Sequence, residues 1–170
     1  MLDQKEHSRI IADFEHVCTV GGIQGHFLYE SMTKRCGEKE VEWVRNFWTH
    51  KAAGCPGLLL NGVKSPDTRC QAITAALIRN YVDARVIPMN TLIDNVDVGR
   101  APTVLVIPNL YLSAMVKQIP AWRVQVMYDL LLERSIKSKP TVAYVEDVTE
   151  LKGIYGVPFS DFLSRFLIVS

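Results

Sequence analysis

What this chain of 170 residues lacks narrows its class first. No apolar run approaches the roughly 20 residues that a membrane-spanning helix requires, so no span is expected. The opening Met1-Leu2-Asp3-Gln4-Lys5-Glu6-His7 is polar and mixed in charge, unlike a secretory signal. Charge of one sign is missing too. Lys and Arg number 19 against 18 Asp and Glu, a formal net charge of +1, so no global field draws the chain to nucleic acid. The four cysteines, Cys18, Cys36, Cys55 and Cys70, form no C-x-x-C pair and match no zinc spacing. Free thiols in a reducing, cytoplasmic setting are expected, with no metal site. His16 and His26 flank Cys18 without ligand spacing and read as ordinary histidines. No G-x-S-x-G elbow offers a serine nucleophile. Internal repeats, low-complexity tracts and long linkers are absent as well.

What remains is an ordinary globular composition, 48% hydrophobic and 22% charged, in a length that suits a domain with a sizeable core. Residues 1–37 read as a helical segment. Ile10, Ile11, Phe14 and Val17 recur at helical spacing, and Thr19-Val20-Gly21-Gly22 breaks the pattern. A short helix follows near Phe27–Met32, then a longer one from Glu38 to about Ala53, stopped by Gly54 and Pro56. Trp43, Phe47 and Trp48 lie on that helix with Arg45 and Lys51 nearby. Such interleaving of aromatic and basic residues can stack bases, and it also suits a helix packed on its own domain.

From Pro56 the pattern becomes short apolar runs alternating with amphipathic helices. Gly57–Leu60, Arg85–Met89, Thr103–Ile107, Thr141–Val145 and Leu167–Val169 read as strands. Asp67 is expected to cap the helix beginning at Thr68, Thr91 to cap a small helix, and Pro120 to occupy the first position of another. Residues 38–170 therefore predict an α/β core, a doubly wound parallel sheet with helices on both faces. In such folds ligands sit beyond the carboxyl ends of the strands, here after Leu60, Ile107 and Val145.

The first of those loops has the setting of a phosphate-binding loop, G-x-x-x-x-G-K-[ST] between strand and helix, without its chemistry. Gly62 fits the first glycine. Asp67 stands at the second glycine, Thr68 at the lysine and Arg69 at the hydroxyl position. A phosphate would meet a carboxylate instead of a cation, while Lys64 and Arg69 are displaced substitutes.

From about Glu40 to Val169, the order and spacing of these segments resembles the AAA+ core of bacterial replicative helicase loaders of the DnaC type. The ATP-binding partners of insertion-sequence transposases, the IstB type, are similar. The resemblance implies a P-loop NTPase fold. It places Pro108 and Asn109 where the second nucleotide motif, Walker B, carries its acids, and Arg165 where the family carries an arginine finger. Pro108 offers no side-chain ligand and Asn109 cannot act as a base, so no catalytic residue and no nucleotide cofactor are expected. The sequence stops after the last strand, so no helical lid is expected either.

The resemblance further implies a protein partner, a replicative helicase or related replication ATPase, with the first helix as the contact through Ile10, Ile11 and Phe14. An amphipathic helix docked in a partner's groove is a common mode, and packing of that helix on its own core is its competitor. The expectation is a non-catalytic adaptor that modulates helicase loading. The alternatives are an ATP-binding enzyme with a non-standard loop and a nucleic-acid-binding subunit of a transposition or replication complex. Self-association through the ATPase-type face is a weaker implication, and a phage or mobile-element origin would suit so reduced a core.

Overall fold

The computed structural model describes residues 2–170, residues 116–118 as backbone alone. Short helices come first: α1 (Ser8–Ala12), α2 (Phe14–Gly21), α3 (His26–Tyr29), α4 (Glu38–Arg45) and α5 (Phe47–Ala52). Then follow β1 (Gly57–Asn61), α6 (Pro66–Arg79), β2 (Ala84–Val86), α7 (Met89–Asp94), α8 (Val96–Arg100) and β3 (Val104–Tyr111). A 3₁₀ segment leads to α9 (Ala121–Ile136), β4 (Thr141–Val145), α10 (Val148–Tyr155), α11 (Val157–Leu163) and β5 (Leu167–Val169). The strands form one parallel sheet in the order β2-β3-β4-β1-β5, with helices on both faces.

Strand alternation explains how the sheet serves two cores. Successive side chains point to opposite faces. Leu58, Leu60, Val104, Val106, Val142 and Tyr144 pack on one side with α4, α5, α6 and the N-terminal helices. Leu59, Leu105, Ile107, Ala143 and Val145 pack on the other with α7, α9, α10 and α11. Burial on both faces is why the strands read as continuous apolar runs and not as alternating ones.

Several local expectations are corrected. The helix from Glu38 to Ala53 is two helices, interrupted at Asn46. Helix α6 starts at Pro66 after Ser65, so Asp67 lies in its first turn and does not cap it. Thr91 lies inside α7, whose cap position is Pro88, and Pro120 precedes α9 as its cap residue. Strand β2 ends at Val86, short of Met89. Strand β3 runs through Pro108 and Asn109 to Tyr111, with a register irregularity between Ile107 and Tyr111. A proline has no N–H for a ladder, so it is tolerated in a central strand where the register breaks.

The boundary expected after residue 37 does not separate two cores. Ile10, Ile23, Phe27, Leu28 and Met32 are buried in the same cluster as Leu58 and Ile73. Arg79 joins the layers, donating to the carbonyls of Phe27 (2.9 Å) and Leu28 (3.3 Å).

Arg134 fastens the sheet's amino end. It is 1% exposed, and its guanidinium makes five hydrogen bonds. The acceptors are the carbonyls of Gly99 (2.7 Å), Pro102 (3.1 Å), Thr103 (3.2 Å) and Pro140 (2.9 Å) and the hydroxyl of Thr141 (3.1 Å). Burial pushes its pKa down to about 10, which leaves it charged at neutral pH.

The thiols divide by environment. Cys70 is fully buried, and burial raises its pKa strongly. Burial, with Glu40 nearby, pushes Cys36 up to about 12. A thiol must ionise to react. At pH 8 a disulfide reagent is therefore expected to spare Cys36 and Cys70 in the folded chain and to label them once urea unfolds it. Complete and rapid labelling of all the cysteines before unfolding would contradict this packing.

Candidate functional site

The site lies where the carboxyl ends of β1, β3 and β4 meet. β1 leaves the sheet through Asn61 and Gly62. The Gly62 amide donates to the Val145 carbonyl (2.9 Å), and Asn61 Oδ1 accepts from the amide of Val148 (3.0 Å). These bonds tie the first loop to the end of β4. Gly62 has φ +62°, a left-handed conformation that an L side chain resists, and a Cβ there would come within 3.3 Å of the Glu146 carbonyl. Ser65, at φ 53°, turns the chain into α6. Gly62 to Ser65 is therefore a tight turn from β1 into α6.

Its side chains are committed elsewhere. Arg69 donates through Nη1 to Glu40 Oε1 at 2.5 Å and through Nε to the carbonyl of Lys64 at 3.1 Å. Glu40 is wholly buried, and its other oxygen accepts from the amide of Gly37 at 2.8 Å. One arginine thus joins α4, the loop and α6, turned inward. Lys64 is exposed and joins no salt bridge among the described residues. Asp67 is exposed and Thr68 half-buried in the first turn of α6. Asp67 and Glu146 both help to raise the Tyr144 hydroxyl pKa, after the larger effect of burial, so the two acids share one locality.

The neighbouring strand ends are polar without forming a metal cage. Asn109 turns its Oδ1 to the amide of Met89 (2.9 Å) and so holds the start of α7. Pro108 is half-buried within β3 and offers no ligand. Past β3, Glu146 accepts from the Ser113 amide (2.7 Å), and Glu150 accepts from the hydroxyls of Ser113 (2.7 Å) and Tyr111 (3.3 Å). Asp147 caps α10 by accepting from the amides of Thr149 (2.6 Å) and Glu150 (3.2 Å), which lower its pKa. Among the described residues, no cluster of three or more His, Cys, Asp or Glu side chains suits a metal ion.

Two of these partners escaped the sequence reading. Glu40 stands three residues after Gly37, the spacing of a helix-capping acid, which signals a cap and not a partner for Arg69. The Tyr111, Ser113 and Glu150 contacts join residues 37 or more apart and leave no local pattern.

No family model and no curated protein matches the chain. A solved structure does: the crystal structure of DnaI aligns with a TM-score of 0.59, over 87% of this chain and 92% of that chain. The chain has the fold of DnaI. At 16% identity the likeness to DnaI is one of fold. It accords with the doubly wound parallel sheet read from segment order.

On this DnaI-like sheet the remaining candidates fall apart in space. Arg165 sits in the turn before β5, whose Leu167 pairs with Leu58 of β1. It therefore lies toward the amino ends of the strands, opposite the Gly62 loop. Its guanidinium packs over the Phe162 ring, 6.0 Å from the centroid. Ile10 is buried in the protein's own core, and Ile11 and Phe14 are half-buried. The Phe14 ring packs against Tyr29 at 5.6 Å. The face expected to meet a partner is thus largely spent on intramolecular packing. Trp43 and Phe47 are likewise buried, which leaves only Trp48 of that aromatic group exposed, with Lys51 above its ring at 5.4 Å. No helix among the described residues is long and apolar enough to cross a membrane.

Proposed function

We propose that this chain is a non-catalytic adaptor on a helicase-loader-type fold, binding a replicative helicase or a related replication ATPase and modulating its loading on DNA. The fold shared with DnaI supports the class. The observation that carries the non-catalytic part is the Arg69–Glu40 pair. Triphosphate binding rests on cations and free backbone donors aimed at one point. Here the arginine of the loop is neutralised by a buried carboxylate, and Asp67 and Glu146 supply negative charge in its place. At the end of β3, Asn109 is engaged in holding a helix. A domain of this kind retains contact surfaces, so its biology is carried by binding.

Two measurements test the two halves separately. Equilibrium dialysis with ATP and magnesium is expected to give no saturable binding in the micromolar range; saturable uptake would retire the non-catalytic half and favour an enzyme using Lys64. A purified replicative helicase from the same host is expected to be retained by the immobilised chain without nucleotide. Variants for that capture must avoid Ile10, whose burial means that a charge there disrupts folding. Val20 and Tyr29, 39% and 50% exposed, are the apolar residues of the N-terminal helices open to a partner. Val20→Asp and Tyr29→Asp are expected to weaken capture while each variant keeps its native far-UV circular dichroism. Capture indifferent to both would move the contact off this segment.

A further inference from the structure

Tyr81 is strained in a way that its own helix does not require. After α6 the Tyr81 amide donates to the Ile78 carbonyl (2.8 Å) and the Val82 amide to the Leu77 carbonyl (3.0 Å). This helix stop puts Tyr81 in the left-handed region, at φ 58°, a conformation that glycine adopts without steric hindrance. Burial does not account for the tyrosine, which is 59% exposed. Its contacts do. The hydroxyl donates to the Glu6 carbonyl, 75 residues away in sequence. The ring lies nearly parallel to that of His7, at 11° with centroids 6.2 Å apart. Residues 3–7 are otherwise closed on themselves. Asp3 Oδ1 accepts from the amides of Lys5 (2.8 Å) and Glu6 (3.0 Å), and the His7 amide donates to the Asp3 carbonyl (2.9 Å). Helix α1 stops at Asp13, where α2 starts afresh. Residues 2–12 meet the core through Ile10, which is buried, and Leu2, which is half-buried. Among the described residues, the Tyr81 hydroxyl makes the one hydrogen bond between this segment and anything past Asp13.

We infer that residues 3–12 are a strap that opens as a unit about Asp13, with Tyr81 as its catch. Segments open locally where few apolar contacts are buried, and this one buries Ile10 alone. Its five-residue helix is far too short to persist without the domain beneath it. The seat of Ile10 is also incompletely filled. A cleft of about 230 Å³ lies beside it, walled by Val17, Val20, Ile78, Tyr81 and Val82. Closed, Ile10 covers part of those walls. Open, it leaves with the strap and bares an apolar surface that extends Val20, which is already 39% exposed. A charge at Ile10 would unseat this same unit. Tyr81 forms one wall of the cleft and also bonds the strap, which is why a tyrosine stands where the backbone favours glycine.

Amide hydrogen exchange of the intact chain, followed residue by residue by NMR, tests this. The Ile11 and Asp13 amides donate to the carbonyls of His7 (3.0 Å) and Arg9 (3.3 Å), and the Val104 amide to that of Asp83 (3.0 Å). In the wild type, Ile11 and Asp13 are expected to exchange faster than Val104, through opening of the strap with the sheet intact. Tyr81→Gly suits the backbone and removes the catch. It is expected to speed exchange at Ile11 and Asp13 at least about tenfold, to leave Val104 unchanged and to increase binding of an apolar fluorescent dye. Tyr81→Phe keeps the ring and loses the hydroxyl, and is expected to speed the same two amides about fivefold. Ile11 and Asp13 as slow as Val104 in the wild type would overturn the strap. Unchanged exchange at both in Tyr81→Gly would overturn it too. So would equal acceleration at Ile11, Asp13 and Val104, which would make Tyr81 an ordinary packing residue.

Discussion

Arg134→Ala is expected to lower unfolding free energy by about 3–5 kcal/mol, enough to leave a domain of ordinary stability marginal. The guanidinium supplies five hydrogen bonds, four of them buried and the one to Thr103 part-buried. Removing it leaves the carbonyls of Gly99 and Pro102 and the Thr141 hydroxyl short of a donor, at roughly 1–3 kcal/mol for each buried group left unmade, while the Pro140 carbonyl keeps the Leu105 amide. It also opens a cavity beneath α9. The sum is not additive, because part of the site relaxes or admits water, which is why the expected loss is below the simple total. Arg134→Lys is the sharper variant. It keeps the charge, but a point ammonium cannot reproduce a planar fork that spans acceptors on the turn before β3 and at the start of β4. It is expected to recover less than half of the loss. Urea unfolding followed by tryptophan fluorescence measures both. A loss below about 1 kcal/mol for Arg134→Ala would mean that the carbonyls find other donors.

Arg134 also marks what a sequence leaves hidden. On the chain it is one basic residue near the end of an amphipathic helix, where a cation is favoured by the helix dipole and expected in solvent. Its burial is decided by the turn at Gly99–Thr103, more than 30 residues away. Strand and helix order were legible because they depend on local periodicity: Leu58-Leu59-Leu60 and Val104-Leu105-Val106-Ile107 are apolar throughout, as strands covered on both faces must be. Gly62 was legible as a loop glycine, and its left-handed φ gives the physical reason. The fate of Ile10 was not. An apolar stripe on a short helix looks the same whether it meets a partner or its own domain, and the deciding surface, around Ile78, Tyr81 and Val82, is remote in sequence. Trp43 and Trp48 illustrate the same limit. They lie five positions apart in adjoining helices, yet one is 1% exposed and the other 60%.

Glu40→Leu is expected to cost about 3 kcal/mol, and its coupling to Arg69 separates a structural loop from a residual nucleotide site. The carboxylate is wholly buried and holds both the Arg69 guanidinium and the Gly37 amide. Without it a guanidinium only 23% exposed is left in an apolar wall, and α4 loses the side chain that closes its first turn. Arg69→Thr does the reverse damage, stranding a buried carboxylate. The double variant Glu40→Leu/Arg69→Thr removes both charges and is expected to be more stable than either single change, with a coupling of at least about 2 kcal/mol. The same arithmetic governs any attempt to rebuild the phosphate loop. Asp67→Gly/Thr68→Lys/Arg69→Thr writes the missing residues into the aligned positions and simultaneously orphans Glu40, so it is expected to destabilise the domain by about 3–5 kcal/mol and to bind no ATP. Adding Glu40→Leu is expected to return much of the stability and still leave ATP unbound, because Glu146 remains beside the loop and Pro108 and Asn109 remain where a metal would need acids. Recovery of ATP binding in the quadruple variant would mean that the loop alone had been the obstacle. Recovery of stability without binding would place the loss of nucleotide chemistry across the whole carboxyl end of the sheet.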